Sequence, residues 1–155
     1  MKKFKANDNK NEEYEINYRQ FNKKLELLNQ ILSLISDINQ ASDEKEVKDC
    51  IPALLQYTGE YTDADRVYIF ELLSEKQDYY SNTFEWCREG IIPQIDNLIR
   101  ISADSMPVWH KKFLCGETII IHDLEKIRET MPSEYDILKV QDIHSLLVLP
   151  LFANT

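Results

Sequence analysis

Apolar residues at helical spacing dominate the N-terminal part of the chain. One set steps by three and four residues, the spacing of a coiled-coil seam: Tyr18, Phe21, Leu25, Leu28, Leu32 and Ile35. A second stripe lies on a neighbouring face: Leu27, Ile31, Leu34 and Ile38. A helix with two apolar stripes has two surfaces to cover. We therefore expect one stripe to pack on its own domain and the seam to meet a partner helix, most simply in a homodimer. The alternative is a single broad face buried within one protomer.

The pattern beyond this helix predicts a mixed α+β fold. Residues 47–58 follow helical spacing after Ser42, a good N-cap, with Pro52 as a kink or break and Gly59 as the stop. A short helix is predicted over 108–115. Strands are predicted by alternation or by apolar runs at 66–72, 79–86, 118–121 and 145–152. The last is apolar on both faces, so we expect it to be central.

Large aromatic residues flank the irregular stretch 87–116, which is where a ligand lid is expected. On the second strand Asn82, Phe84 and Trp86 share one face. Aromatic side chains with one polar amide are suited to lining a small-molecule pocket. The alternative is that these residues are ordinary members of the hydrophobic core. The candidate pocket residues are Asn82, Phe84, Trp86, Cys87, Trp109 and Ile121.

Composition and charge exclude several classes of function. The 155 residues include 18 basic and 27 acidic side chains, a net charge of −9 that repels nucleic acid. Only three glycines are present, and no phosphate-binding loop or hydrolase motif appears. We therefore assign no catalytic residue and expect a non-enzymatic protein.

Targeting and metal signals are equally sparse. The longest apolar run has eight residues, against about 20 needed to span a bilayer, and no export signal follows the basic start. Three cysteines, Cys50, Cys87 and Cys115, without a C-x-x-C pair, fit a reducing cytoplasm and give no structural metal site. Cys87, with Arg88 beside it to favour the thiolate, leaves a redox enzyme as a minor alternative.

Six runs, in this order along the chain, carry a family resemblance: 64–71, 81–87, 90–98, 107–109, 116–121 and 143–151. Together they resemble GAF domains, the small-molecule sensor modules of bacterial signalling proteins, particularly those ahead of GGDEF-type diguanylate cyclases and sensor histidine kinases. The resemblance implies an antiparallel sheet with terminal helices on one face and a ligand pocket on the other. It also implies that signals travel along the terminal helices, which agrees with the seam.

The chain departs from that family at its C-terminal side and in its ligand motifs. The glycine-containing strand, the further strand and the closing helix of the family are missing, so we expect two unpaired strand edges. We expect the chain to be a truncated portion of a longer protein, or a partner chain to supply the lost edge contact; the alternative is a structure rearranged from the family fold. The cyclic-nucleotide motif is absent. Arg88 follows Cys87 where bilin-binding domains carry histidine, so no covalent bilin is expected; a haem would need His110, His122 or His144 as ligand. We assign no cofactor.

The sequence thus predicts a leader at 1–13, a dimerisation and signalling helix at 14–40, and a GAF-like domain at 41–155. The expected function is a cytoplasmic sensory or regulatory module that controls an output domain on the same chain. The alternatives are a structural dimerisation module without ligand, or the cysteine-based redox enzyme.

Overall fold

The computed structural model describes residues 2–74 and 78–152, with side chains from Tyr14 onward. Short 3₁₀ segments at Ile95–Asn97, Ala103–Ser105 and Leu124–Ile127 accompany the longer elements. In chain order, these are α1 (Lys2–Gln40), α2 (Glu44–Thr62), β1 (Arg66–Ser74), β2 (Asp78–Cys87), β3 (Ile101–Ser102), α3 (Pro107–Leu114), β4 (Ile119–Ile121), α4 (Pro132–Lys139) and β5 (Leu146–Val148). The mixed α+β class and the long N-terminal helix are confirmed.

Helix α1 begins at Lys2, so most of the segment for which a flexible leader was expected is helical. The physical reason is that residues 2–40 contain neither proline nor glycine, the two residue types that interrupt a helix. The division of the chain into leader, signalling helix and sensor domain stays a prediction.

Helix α2 differs from the sequence prediction at both ends. Its N-cap is Asp43, whose side chain accepts from the backbone N–H of Glu46, rather than Ser42. It continues through Pro52 and past Gly59 to Thr62, and Asp63 then ends it in a left-handed conformation. Gly59 is therefore an interior helix residue and not the predicted stop.

Two sets of strands are hydrogen-bonded, in the orders β1-β2-β3 and β4-β5. β2 and β3 are antiparallel, as are β4 and β5, where Ile119 lies opposite Val148. The prediction of a long central strand over 145–152 is wrong. Among the described residues β5 pairs only with β4, and Leu147, Leu149 and Leu151 are exposed. A further strand beside β5, which the family resemblance implies, stays a prediction.

The chain divides into two compact units. The first takes residues up to Ile69 together with Thr83–Pro93, and the second takes Phe70–Asn82 and the residues from Gln94 onward. In the first unit α1 packs on α2. The second unit has an apolar core formed by Tyr80, Ala103, Met106, Trp109, Ile119, Ile121, Leu124, Ile127, Tyr135 and Leu138.

No helix in the described part of the chain has both the length and the apolar character needed to cross a membrane.

Candidate functional site

The two apolar stripes of α1 have different surroundings. In the second stripe Leu27 is 6% exposed, and Ile31, Leu34 and Ile38 are half-buried. Five seam residues instead keep between 42% and 67% of their surface exposed: Tyr18, Phe21, Leu25, Leu32 and Ile35. Leu28, the sixth, is half-buried. The expectation that one stripe packs on its own domain while the seam stays available agrees with this burial. Pairing of the seam with a partner helix stays a prediction.

The six candidate pocket residues are distributed over both compact units. Asn82, Trp109 and Ile121 belong to the second unit, where all three are buried and the last two are members of the apolar core. Phe84, Trp86 and Cys87 belong to the first unit and are half-buried. Their grouping into one pocket stays a prediction.

Trp86 lies directly on the backbone of α2. A Cβ atom placed on Gly59 would come within 2.1 Å of Cζ3 of the Trp86 ring, so the ring occupies the space that any other residue would fill. This contact explains why a glycine lies inside a helix. Sequence reasoning missed it because the two residues are far apart along the chain.

Glu134 is a buried carboxylate that the sequence analysis did not single out. It is only 1% exposed, and its Oε1 accepts from the backbone N–H groups of Val108, at 2.8 Å, and Trp109, at 3.2 Å. It thereby caps α3, whose N-cap residue Met106 makes no side-chain hydrogen bond. Glu134 Oε2 and Trp109 Nε1 are buried without a hydrogen-bond partner among the described residues.

His110 connects a buried phenol to a carboxylate within the second unit. Tyr80 Oη lies 2.9 Å from His110 Nδ1, and His110 Nε2 lies 3.7 Å from Asp78 Oδ2. Burial, with a smaller contribution from the charge of Asp78, raises the pKa of Tyr80. With one ring nitrogen held by Tyr80, this histidine serves as a link between β2 and α3 rather than as an open axial ligand.

The other two candidate haem ligands lie on the surface. His122 is exposed, and His144 is exposed with Nε2 at 3.6 Å from Asp142 Oδ1. Among the described residues no group of three or more His, Cys, Asp or Glu side chains is placed to hold a metal ion.

The thiol of Cys87 is not activated. Burial, followed by the charge of Glu85 and a hydrogen bond to it, raises the pKa of Cys87, and Arg66 offsets only part of this. The expectation that Arg88 favours the thiolate is wrong, because its guanidinium is bonded to Asp63 Oδ1, at 2.7 Å, and to the Ala64 carbonyl, at 3.0 Å.

Each unit has a surface cavity lined by described residues. The cavity of the first unit has a volume of about 300 Å³, and its lining is mostly charged: Lys23, Glu60, Asp63, Trp86, Arg88 and Glu89. The cavity of the second unit has a volume of about 240 Å³ and is more apolar: Gln94, Asn97, Leu98, Ile101, Ile137, Val140 and Gln141. Trp86 is the one candidate pocket residue that lines either of them.

Comparison with known proteins identifies the fold. No protein-family model matches the chain, and no curated protein matches it. Among solved structures, the chain is similar to the far-red-absorbing dark state of a protein with bound biliverdin IXa. The TM-score is 0.55 with 12% sequence identity, over 77% of this chain and 73% of the other. At this identity the likeness concerns the fold alone, and the mixed α+β arrangement with its long N-terminal helix is GAF-like.

Proposed function

We propose that this chain is a non-enzymatic sensory module of a bacterial signal-transduction protein. It binds a small molecule, dimerises through α1 and controls an output domain on the same chain, such as a diguanylate cyclase or a histidine kinase, in the cytoplasm. The GAF-like fold, which is also the fold of a protein with bound biliverdin, supports a sensory role. The observation that carries the proposal is the exposed seam of α1.

A second copy of the chain is the partner that this seam fits best. Its heptad spacing is that of helices that pair by inserting each side chain between four residues of an identical helix. Exposed apolar residues in one continuous row also differ from the scattered surface leucines that need no explanation. A two-fold pairing covers the same row on both copies at once.

The energy of this pairing is consistent with a reversible dimer. Burying one large apolar side chain completely contributes about 1.5–3 kcal/mol. Because the five exposed seam residues keep roughly half of their surface, each would contribute about 1 kcal/mol, or roughly 10 kcal/mol over two copies. Association costs on the order of 4–15 kcal/mol. The dimer is therefore expected to depend on protein concentration.

Charged substitutions in the seam test the dimer. Phe21→Glu combined with Leu32→Glu removes four apolar contacts per dimer, about 4 kcal/mol, and so raises the dissociation constant about a thousandfold. Glutamate is a good helix former, so α1 itself is preserved. Light scattering over a concentration series should show the unmodified chain approaching twice its 18.3 kDa mass and the variant at the monomer mass.

The matched control places the same two charges on the far side of α1, at Ser33 and Gln40, which are both exposed. Ser33→Glu with Gln40→Glu should leave the dimer intact. Equal masses for the two double variants, or an unmodified chain that is monomeric at all concentrations, would contradict pairing through the seam.

A structural dimerisation module without ligand is the second candidate. It is favoured by the burial of Trp109 and Ile121 in the apolar core of the second unit, which is the ordinary role of such side chains. Native mass spectrometry of the purified chain and a thermal-shift screen of cyclic nucleotides and metabolites distinguish the two. A bound mass or a shifted melting temperature supports the sensor. The absence of both supports the scaffold.

A further inference from the structure

The charged cavity of the first unit has the size of a small metabolite. Its volume of about 300 Å³ is at the lower end of the range for small-molecule pockets, about 300–1,000 Å³. At about 30 Å³ per molecule, it holds roughly ten waters. Residues of α1, of α2 and of the chain at the end of β2 all line it. An occupant would therefore touch the signalling helix directly.

The charges around this cavity are of two kinds. Arg88 and Asp63 pair with each other, with Nη2 and Oδ1 at 2.7 Å, so their two charges compensate each other. Lys23 and Glu89, in contrast, have no hydrogen-bond or ion-pair partner within residues 14–74 and 78–152. Glu60 accepts a hydrogen bond from the side-chain amide of Gln56 at 2.9 Å, and this amide carries no charge. The cavity thus presents one cation and two carboxylates without a charged partner.

Trp86 supplies an aromatic wall of the same cavity. Its ring is held in place because it lies against the backbone of α2 at Gly59. An aromatic face next to carboxylates is a favourable environment for an ammonium group, which gains both cation–π attraction and ion pairing. Lys23, which also lines the cavity, suits a carboxylate.

We propose that this cavity binds a zwitterionic metabolite of the amino-acid class. Its carboxylate pairs with Lys23 Nζ, and its ammonium lies between Glu60 and Glu89 beside the Trp86 ring. The inference rests on the proposed sensory function and names its ligand. Lys23 belongs to α1 and lies on the face away from the seam, so the ligand would fasten α1 to α2 and to the end of β2 without covering the seam.

Calorimetric titration with each of the twenty protein amino acids tests the ligand class. At least one should bind, and its decarboxylated amine and its deaminated acid should each bind at least tenfold more weakly, because each lacks one of the two charged groups. A tenfold change corresponds to about 1.4 kcal/mol. The inference is overturned if no amino acid binds at millimolar concentration, or if either analogue binds as well as the zwitterion.

Single substitutions locate the site. Glu89→Gln keeps the size of its side chain and removes the charge, and Lys23→Gln replaces the cation by a shorter neutral polar group; each should raise the dissociation constant about tenfold. Lys45→Gln and Glu129→Gln change the same charges at exposed positions outside the cavity and should leave it unchanged. Circular dichroism checks that all four variants are folded.

The outcomes separate this inference from the function on which it rests. Amino-acid binding that survives both cavity substitutions overturns the site but leaves a small-molecule sensor. A ligand of another class found in the metabolite screen overturns the amino-acid assignment and again leaves the sensor. Dimer formation is measured independently with the seam variants.

Discussion

Replacing Gly59 by alanine has two local effects of opposite sign on the free energy of unfolding. Gly59 is in the interior of α2, where alanine is favoured over glycine by about 1 kcal/mol. The new Cβ, however, would lie 2.1 Å from Cζ3 and 2.4 Å from Cε3 of Trp86. Because ordinary van der Waals contact begins at 3.4 Å, the ring must retreat by about 1.3 Å, the difference between those two distances.

The steric effect on the free energy of unfolding is expected to be larger than the effect of helix propensity. Overpacking costs about 1–3 kcal/mol, and a displacement of a rigid indole ring by this amount belongs at the upper end. After the gain in helix propensity is subtracted, Gly59→Ala should lower the free energy of unfolding by about 2 kcal/mol. Urea denaturation followed by circular dichroism measures this directly.

A double-mutant cycle shows whether Trp86 is the cause. In a Trp86→Ala background the ring is gone, so Gly59→Ala should then raise the free energy of unfolding by about 1 kcal/mol, the helix-propensity difference. The reasoning is refuted if Gly59→Ala is neutral or stabilising with Trp86 present, or if its effect has the same sign and size in both backgrounds.

Three other experiments test titratable groups that are wholly or partly buried. Glu134→Ala leaves two backbone N–H groups at the start of α3 unpaired, so it should lower the free energy of unfolding by about 2–5 kcal/mol, and Glu134→Gln, which keeps an acceptor, by less than half of that; equal losses would contradict the capping role. Alkylation of Cys87 by iodoacetamide can be followed over pH by peptide mass spectrometry. Because the pKa of Cys87 is raised, the alkylation rate should reach half its maximum above about pH 8.5, the ordinary thiol value. A midpoint below this pH would favour the redox alternative. Burial raises the pKa of Tyr68 to about 12, so the stability that the neutral phenol contributes below about pH 10 should be lost as the pH rises through 12. Tyr68→Phe should therefore make the melting temperature fall less over this pH range. An equal fall in the variant and the unmodified chain would contradict a raised pKa of Tyr68.

Periodicity predicted the parts of the fold that depend on neighbouring residues. The two stripes of α1 were separable in the sequence because a helix presents residues three and four apart on one face, and their different burial follows from that spacing. The helix at 107–114 and the strands β1 and β2 were found for the same reason. The long strand at 145–152 was wrong because an apolar run does not reveal which neighbour it pairs with.

Features that depend on distant residues were not predictable from the sequence. In the sequence Gly59 is a candidate helix stop, and only the structure shows that the Trp86 ring packs against its backbone. In the sequence nothing distinguishes Glu134 from the other acidic residues, and only the structure shows that it caps the start of α3. The charged cavity combines residues from three parts of the chain, none of which forms a local motif.

Cysteine crosslinking along α1 tests most directly whether two copies meet at the seam. Leu25→Cys places a thiol on the seam and Ser33→Cys places one on the far side, each in a chain whose three native cysteines are replaced. Paired seam positions bring their Cβ atoms close to the separation of about 4 Å that a disulfide requires. Under mild oxidation a covalent dimer is expected for Leu25→Cys and not for Ser33→Cys. No dimer for Leu25→Cys, or equal yields for both, would contradict the proposed pairing.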